Sequence, residues 1–117
     1  MTDLKTELKQ FTGSEVFFRN PLFGRFIYTE GVRYLAERAG AYWLIDYVFS
    51  NQHNGEIKAQ PFQVWTIRVG DDRSAVVTVE DGNDNIVKEF RLEFTDFPLA
   101  EFSLWFIDGT LLLPSEY

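Results

Sequence analysis

The run Gly40-Ala41-Tyr42-Trp43-Leu44-Ile45-Asp46-Tyr47-Val48-Phe49 constrains this chain more than any other stretch. Nine apolar or aromatic positions are broken by one carboxylate, Asp46. A helix that is apolar all round belongs in a core. A carboxylate set in such a helix needs a partner, because an unpaired buried charge is very costly. The run therefore marks the centre of the fold and asks what Asp46 bonds to.

The helix before it has a different register. Thr29-Glu30-Gly31-Val32 opens it, with Thr29 as N-cap and Glu30 at the positive end of the dipole. Its apolar stripe is Val32, Leu35, Ala36 and Ala39. Continued past Gly40, that stripe would pass through Trp43, Asp46 and Ser50. The apolar density lies instead at Ala41, Leu44, Ile45 and Val48. A break at Gly40 resolves the mismatch, since glycine readily closes helices. The buried helix then runs from about Ala41 to Asn51.

Residues 3–11 read as a short amphipathic helix, capped by Thr2 or Asp3 and stopped at Thr12-Gly13-Ser14. Leu4, Leu8 and Phe11 form its stripe. Glu15–Arg19 and Arg25–Tyr28 are short strands around the Asn20-Pro21 turn, a possible hairpin. Asn51–Gly55 reads as a loop. Beyond it the pattern has period two: strands at Pro61–Val69 and Ala75–Glu80, then the alternation from Ile86 to Phe94, then Phe102–Ile107. Trp65, Ile67, Trp105 and Ile107 are assigned to one sheet face, opposite Phe102, Leu104 and Phe106. The expected fold is α+β, with N-terminal helices packed on one face of an antiparallel β-meander of four or more strands. It forms a single domain over 1–117, mainly helical with a short hairpin over 1–56 and a meander plus tail over 57–117.

Charge is divided unevenly. Residues 1–60 balance, and residues 61–117 carry the whole net charge of −7. An acidic surface repels phosphate backbones, so no direct nucleic-acid binding is expected. With no cysteine, disulfides, thiol catalysis and thiolate zinc sites are excluded. No apolar run approaches the roughly 18–20 residues that span a bilayer, and the N-terminus lacks a signal-peptide core. A cytoplasmic protein without membrane contact is expected.

Chemical motifs are sparse. His53 is the only histidine, seven residues after Asp46, and an Asp-oriented His can serve as a general base. A solvated histidine in a polar loop is the ordinary alternative. Asp46 is read first as a structural carboxylate bonded to a neighbour, and second as a site residue. Asp81-Gly82-Asn83-Asp84-Asn85 imitates the start of a calcium loop. It fails at the sixth position, Ile86, and at the twelfth, Leu92, so a hairpin turn is expected instead. The acidic turn at Asp71-Asp72 falls at the other end of strand 74–80. No catalytic, cofactor or metal residue is assigned, and no cofactor is expected. Asp46 and His53 are carried forward as a speculative functional or buried polar site.

Phe11-Thr12-Gly13, Tyr28-Thr29-Glu30-Gly31-Val32, Ala39–Asp46 and the ending Leu111-Leu112-Leu113-Pro114-Ser115-Glu116-Tyr117 together resemble a family of short bacterial proteins of unknown function. Its members occur among plasmid, phage and cyanobacterial genes. The resemblance implies no activity and no site residue. A mobile-element setting favours a small interaction or regulatory protein. Three readings follow: a non-enzymatic protein that binds a protein partner or itself as a homodimer; a small enzyme using Asp46 with His53 or a Glu; and an acidic decoy that imitates nucleic acid.

Overall fold

The computed structural model describes residues 3–13 and 16–117. The expected cap at Thr2, the stop at Ser14 and the strand start at Glu15 lie outside them. Among the described residues the fold is α+β, with four α-helices and a seven-stranded mixed sheet.

Helix α1 spans Leu4–Leu8, shorter than its apolar stripe suggests, and Asp3 at its N-cap position makes no capping bond with its side chain. Strands β1 (Phe17–Arg19) and β2 (Ile27–Thr29) form the expected antiparallel hairpin. Helix α2 spans Glu30–Ala39, and the Thr29 hydroxyl caps it by accepting the Val32 N–H at 3.3 Å. Gly40 follows at φ 62°, and the Ala41 N–H turns back to the Ala36 carbonyl at 2.8 Å. This is the break that the register mismatch requires, because left-handed backbone favours glycine. A Cβ at Gly40 would meet nothing within 4 Å, so Gly40→Ala carries only a conformational penalty. It should destabilise the fold by about 1 kcal/mol in denaturant melts. A stabilised variant would contradict the left-handed cap.

Helix α3 spans Tyr42–Ser50 and buries Leu44, Ile45, Val48 and Phe49. It is not buried all round. Tyr42 is exposed, and Trp43, Asp46 and Tyr47 are half-buried. The aromatic content is spent on edge contacts: Tyr47 meets Trp65 and Phe90 edge-on, at 6.5 and 5.4 Å. Residues 51–55 are also not a plain loop. A 3-10 turn covers Asn51–His53, and helix α4 spans Gly55–Lys58. Asn54 caps α4 by accepting from Glu56 and Ile57 N–H groups, and Ile57 anchors it in the core.

Strands β3 (Phe62–Val69), β4 (Ala75–Glu80), β5 (Ile86–Leu92), β6 (Glu101–Ile107) and β7 (Thr110–Leu112) complete the sheet, in the order β1-β2-β7-β6-β3-β4-β5. The continuous antiparallel meander is thus corrected. Of the strands from β3 to β6, only β3, β4 and β5 follow one another as neighbours. Strand β6 returns to pair with β3, and β7 pairs in parallel with β2. The connection through Pro98 is long enough for that return, and period-two alternation carries no information on which strand is the neighbour.

Register also corrects one face assignment. Trp65 lies opposite Leu104 and Val79, and Ile67 opposite Phe102 and Val77. Directly paired residues share a face. Trp105 lies opposite Val64, and Ile107 opposite Phe62, so Trp105 and Ile107 point to the other side from Trp65 and Ile67. Trp65, Ile67, Val77, Val79, Leu104 and Phe106 join Val32, Leu35, Ile45, Val48 and Phe49 in one core cluster.

Candidate functional site

Asp46 answers the question posed by its helix in a modest way. It is half-buried, and the Asn20 side-chain amide donates to its Oδ1 at 2.8 Å. Asn20 is the buried member of the pair, at 3 % exposure. Its own Oδ1 accepts the Leu22 and Phe23 N–H groups, each at 2.8 Å, and its N–H donates to the Phe26 carbonyl. Asn20 therefore builds the turn between β1 and β2, and Asp46 orients it. Because Asp46 retains solvent contact, Asp46→Ala removes one charge-assisted hydrogen bond rather than stranding a buried ion. A cost of about 1.5–3 kcal/mol is expected in urea melts. A loss below about 0.5 kcal/mol would leave the turn independent of Asp46.

His53 ends the 3-10 turn and is exposed. It lines a cavity of about 410 Å³ together with Phe23, Arg25, Phe49 and Ser50. A second cavity of about 330 Å³ has Arg25, Lys58, Gln52, Gln63, Phe106 and Asp108 in its walls. Arg25 and Phe26 border both cavities, with the guanidinium 4.8 Å from the Phe26 ring centre. Asp46 lines neither cavity. The two residues singled out in the sequence thus flank the 20–26 turn without meeting in one of these hollows.

The floor of the second cavity is a polar hub. Gln52 and Gln63 are 3 % and 1 % exposed and exchange two hydrogen bonds, each 2.9 Å. Gln63 Oε1 also accepts the Trp65 indole N–H, and Gln63 Nε2 also donates to the Ile57 carbonyl. Gln52 Nε2 donates in addition to the Val48 carbonyl. The hub ties α3, the 3-10 turn, α4 and β3 together. Nothing in the sequence reading singled it out, although Gln63 shares the inward parity of Trp65, Ile67 and Val69. A glutamine at an inward strand position is the signal that marks it.

Two carboxylates do similar work elsewhere. Glu7 is buried and accepts from the Tyr34 hydroxyl and from Arg38, fixing α1 on α2. The hydrogen bond to Glu7, followed by burial, raises the Tyr34 phenol above its usual range. The folded state therefore holds this proton more tightly than the unfolded chain. The stabilisation is full below the ordinary phenol range and is lost as pH rises through the raised value. Burial raises Tyr42 and Tyr47 as well, so an ultraviolet pH titration should show several tyrosines ionising late, and Glu7→Gln should bring one of them, Tyr34, back.

Glu116 is also buried. Its Oε1 accepts the Thr29 hydroxyl at 2.6 Å and the Leu113 N–H at 3.0 Å, and its Oε2 accepts the Gly31 N–H at 3.2 Å. The ending that resembles a family signature thus caps the first turn of α2 with a carboxylate. In the Asp81 turn, Asp81 accepts from the Asn83 and Asn85 N–H groups and from the Asn85 amide. Those bonds, the Asn83 N–H first, hold its carboxyl below the usual range.

A mixed seven-stranded sheet, with helices sharing a core cluster with one of its faces and polar hubs at the joints, defines a small α+β protein. The chain belongs to DUF6876, a family of unknown function, which it matches over residues 2–117. No curated protein matches it. No solved structure matches it.

Proposed function

We propose that this chain is a non-enzymatic interaction protein that pairs with a second copy of itself through the sheet face opposite its main core. In this reading residues 1–117 act as one domain, with the helices on one face only. The observation that carries it is an aromatic row outside the core cluster. Phe62 and Trp105 meet at 5.0 Å, and Trp105 and Tyr117 at 5.4 Å. Tyr117 is 81 % exposed, and Ile86, on the same face by register with Glu80, is 59 % exposed. An apolar surface of this kind marks a contact, and closed two-fold pairing is the commonest way to cover it. A small bacterial regulatory protein of the cytoplasm, carried by a mobile element and needing no cofactor, fits such a surface.

The same face argues against the acidic decoy, because its charges alternate in sign: Arg68 pairs with Glu101 and Arg91 with Glu89. The enzyme reading draws no support from Asp46, which is engaged with Asn20. Sedimentation velocity at micromolar protein tests the proposal. A dimer is expected at about 0.15 M salt, where the Debye length of about 8 Å screens the −7 charge. Trp105→Glu should be monomeric. A wild-type monomer at every salt concentration would overturn self-pairing.

A further inference from the structure

We propose that the cavity between Arg25 and Lys58 binds a small organic oxyanion, with its apolar body against Phe106 and a hydrogen-bond donor turned to Asp108. This site is independent of the sheet-face reading. Its volume, about 330 Å³, lies at the low end of the range for small-molecule sites, roughly 300–1,000 Å³.

Charge points to an anion. Two cations and one carboxylate line the cavity, a local positive excess in a chain of net charge −7. Among the described residues neither Arg25 nor Lys58 has an ion-pair partner, whereas Arg33, Arg38, Arg68 and Arg91 each have one. Both side chains are exposed, so they are free to reach a ligand. An arginine beside a lysine supplies a planar fork and a point charge, the pairing suited to carboxylate or phosphate oxygens.

The floor specifies the rest of the ligand. Both Nε2 hydrogens of Gln52 are committed, to the Val48 carbonyl and to Gln63. Those of Gln63 are committed to Gln52 and to backbone carbonyls of Ile57 and Gln60. Gln63 Oε1 is filled by Gln52 and Trp65. An amide oxygen has two acceptor sites, so Gln52 Oε1, which accepts from Gln63, keeps one. The floor therefore offers a ligand no donor. Donors come from the two cations at the rim. Acceptors come from Asp108 and Gln52. Phe106 supplies the apolar wall. A bare inorganic anion would use the rim and leave the wall wet.

The test follows the Gln52 and Gln63 side-chain amides and the Trp65 indole N–H by 1H–15N correlation spectra. Phenyl phosphate, benzoate and inorganic phosphate are titrated separately at constant ionic strength. At least one ring-bearing anion should move these resonances. The tighter of the two identifies the oxyanion as phosphate or carboxylate. Inorganic phosphate should bind at least tenfold more weakly than that anion. Arg25→Ala and Lys58→Ala should each weaken binding about tenfold, the size of one charge-assisted hydrogen bond. Arg33→Ala, on the outer side of α2, should not. Amide dispersion verifies that each variant is folded, and either variant alone suffices. The site is overturned by three outcomes: resonances unmoved by both ring-bearing anions at millimolar concentration, wild-type affinity in both variants, or inorganic phosphate binding as tightly as the ring-bearing anions.

Discussion

Glu116→Ala should destabilise the fold by about 3 kcal/mol or more, the largest effect expected of any substitution at a carboxylate in this chain. The change removes the acceptor of three buried donors, the Thr29 hydroxyl and the Leu113 and Gly31 N–H groups. Each donor left unsatisfied costs about 1–3 kcal/mol. A Cβ at Gly31 would lie 2.6 Å from both Glu116 Oε1 and Leu113 Cδ1, so the tail is seated directly on the helix backbone. Glu116→Gln should recover only part of the loss, because its amide turns a donor toward one of the donors it must satisfy. Urea melts of the two variants decide the matter. A loss below about 1 kcal/mol for Glu116→Ala would mean that the tail is not anchored by its carboxylate.

Gln63→Leu is the second large effect, at about 3 kcal/mol. Leucine is apolar and one atom shorter, and it strands the Gln52 amide and the Trp65 indole N–H at a site that is 1 % exposed. Replacing both glutamines by leucine should cost less than the sum of the single changes, because the double variant removes one of the stranded partners. The Trp65 N–H remains unpaired in both, which keeps the double variant below wild type. Additive single and double losses would show that the two amides act independently.

How much of this was legible in the sequence depends on range. Local grammar carried far: the Thr29 cap, the end of α2 at Gly40, the core stripe of α3, and β3, β4 and β6 within a residue or two. Each of these is a consequence of period and neighbouring residues. Pairing across the chain was not legible in this way. Period two places Phe102–Ile107 in a strand but is silent on whether β5 or β3 lies beside it. The three residues of β7 gave too short a pattern to show a parallel partner in β2. The candidate site divided along the same line. Asp46 stood out because it interrupts an apolar run, and His53 because it is the only histidine. Gln63 carried a local mark in its inward strand parity, whereas Gln52 and Glu116 occupy unremarkable local contexts and become conspicuous only when distant segments are brought to them. The short helix α4 was missed although Asn54 is a good cap, because four residues give no period.

Strand β7 is the keystone of the sheet. It is three residues long, yet it alone joins the β1–β2 hairpin to the four-stranded block β6-β3-β4-β5. The bonds that seat the tail just after it, from Thr29 and Gly31 to Glu116, span 87 and 85 positions of sequence. Contacts of such separation close slowly, since loop closure comes before any reward. On the ribosome, residues 110–116 also emerge after every element they join. Until then β2 presents an open edge and the Gly31 N–H of α2 lacks its acceptor. An identical segment from a neighbouring chain fits that slot as well as the chain's own. Crowded refolding or heavy expression therefore favours exchanged tails, two chains each closing the other's sheet.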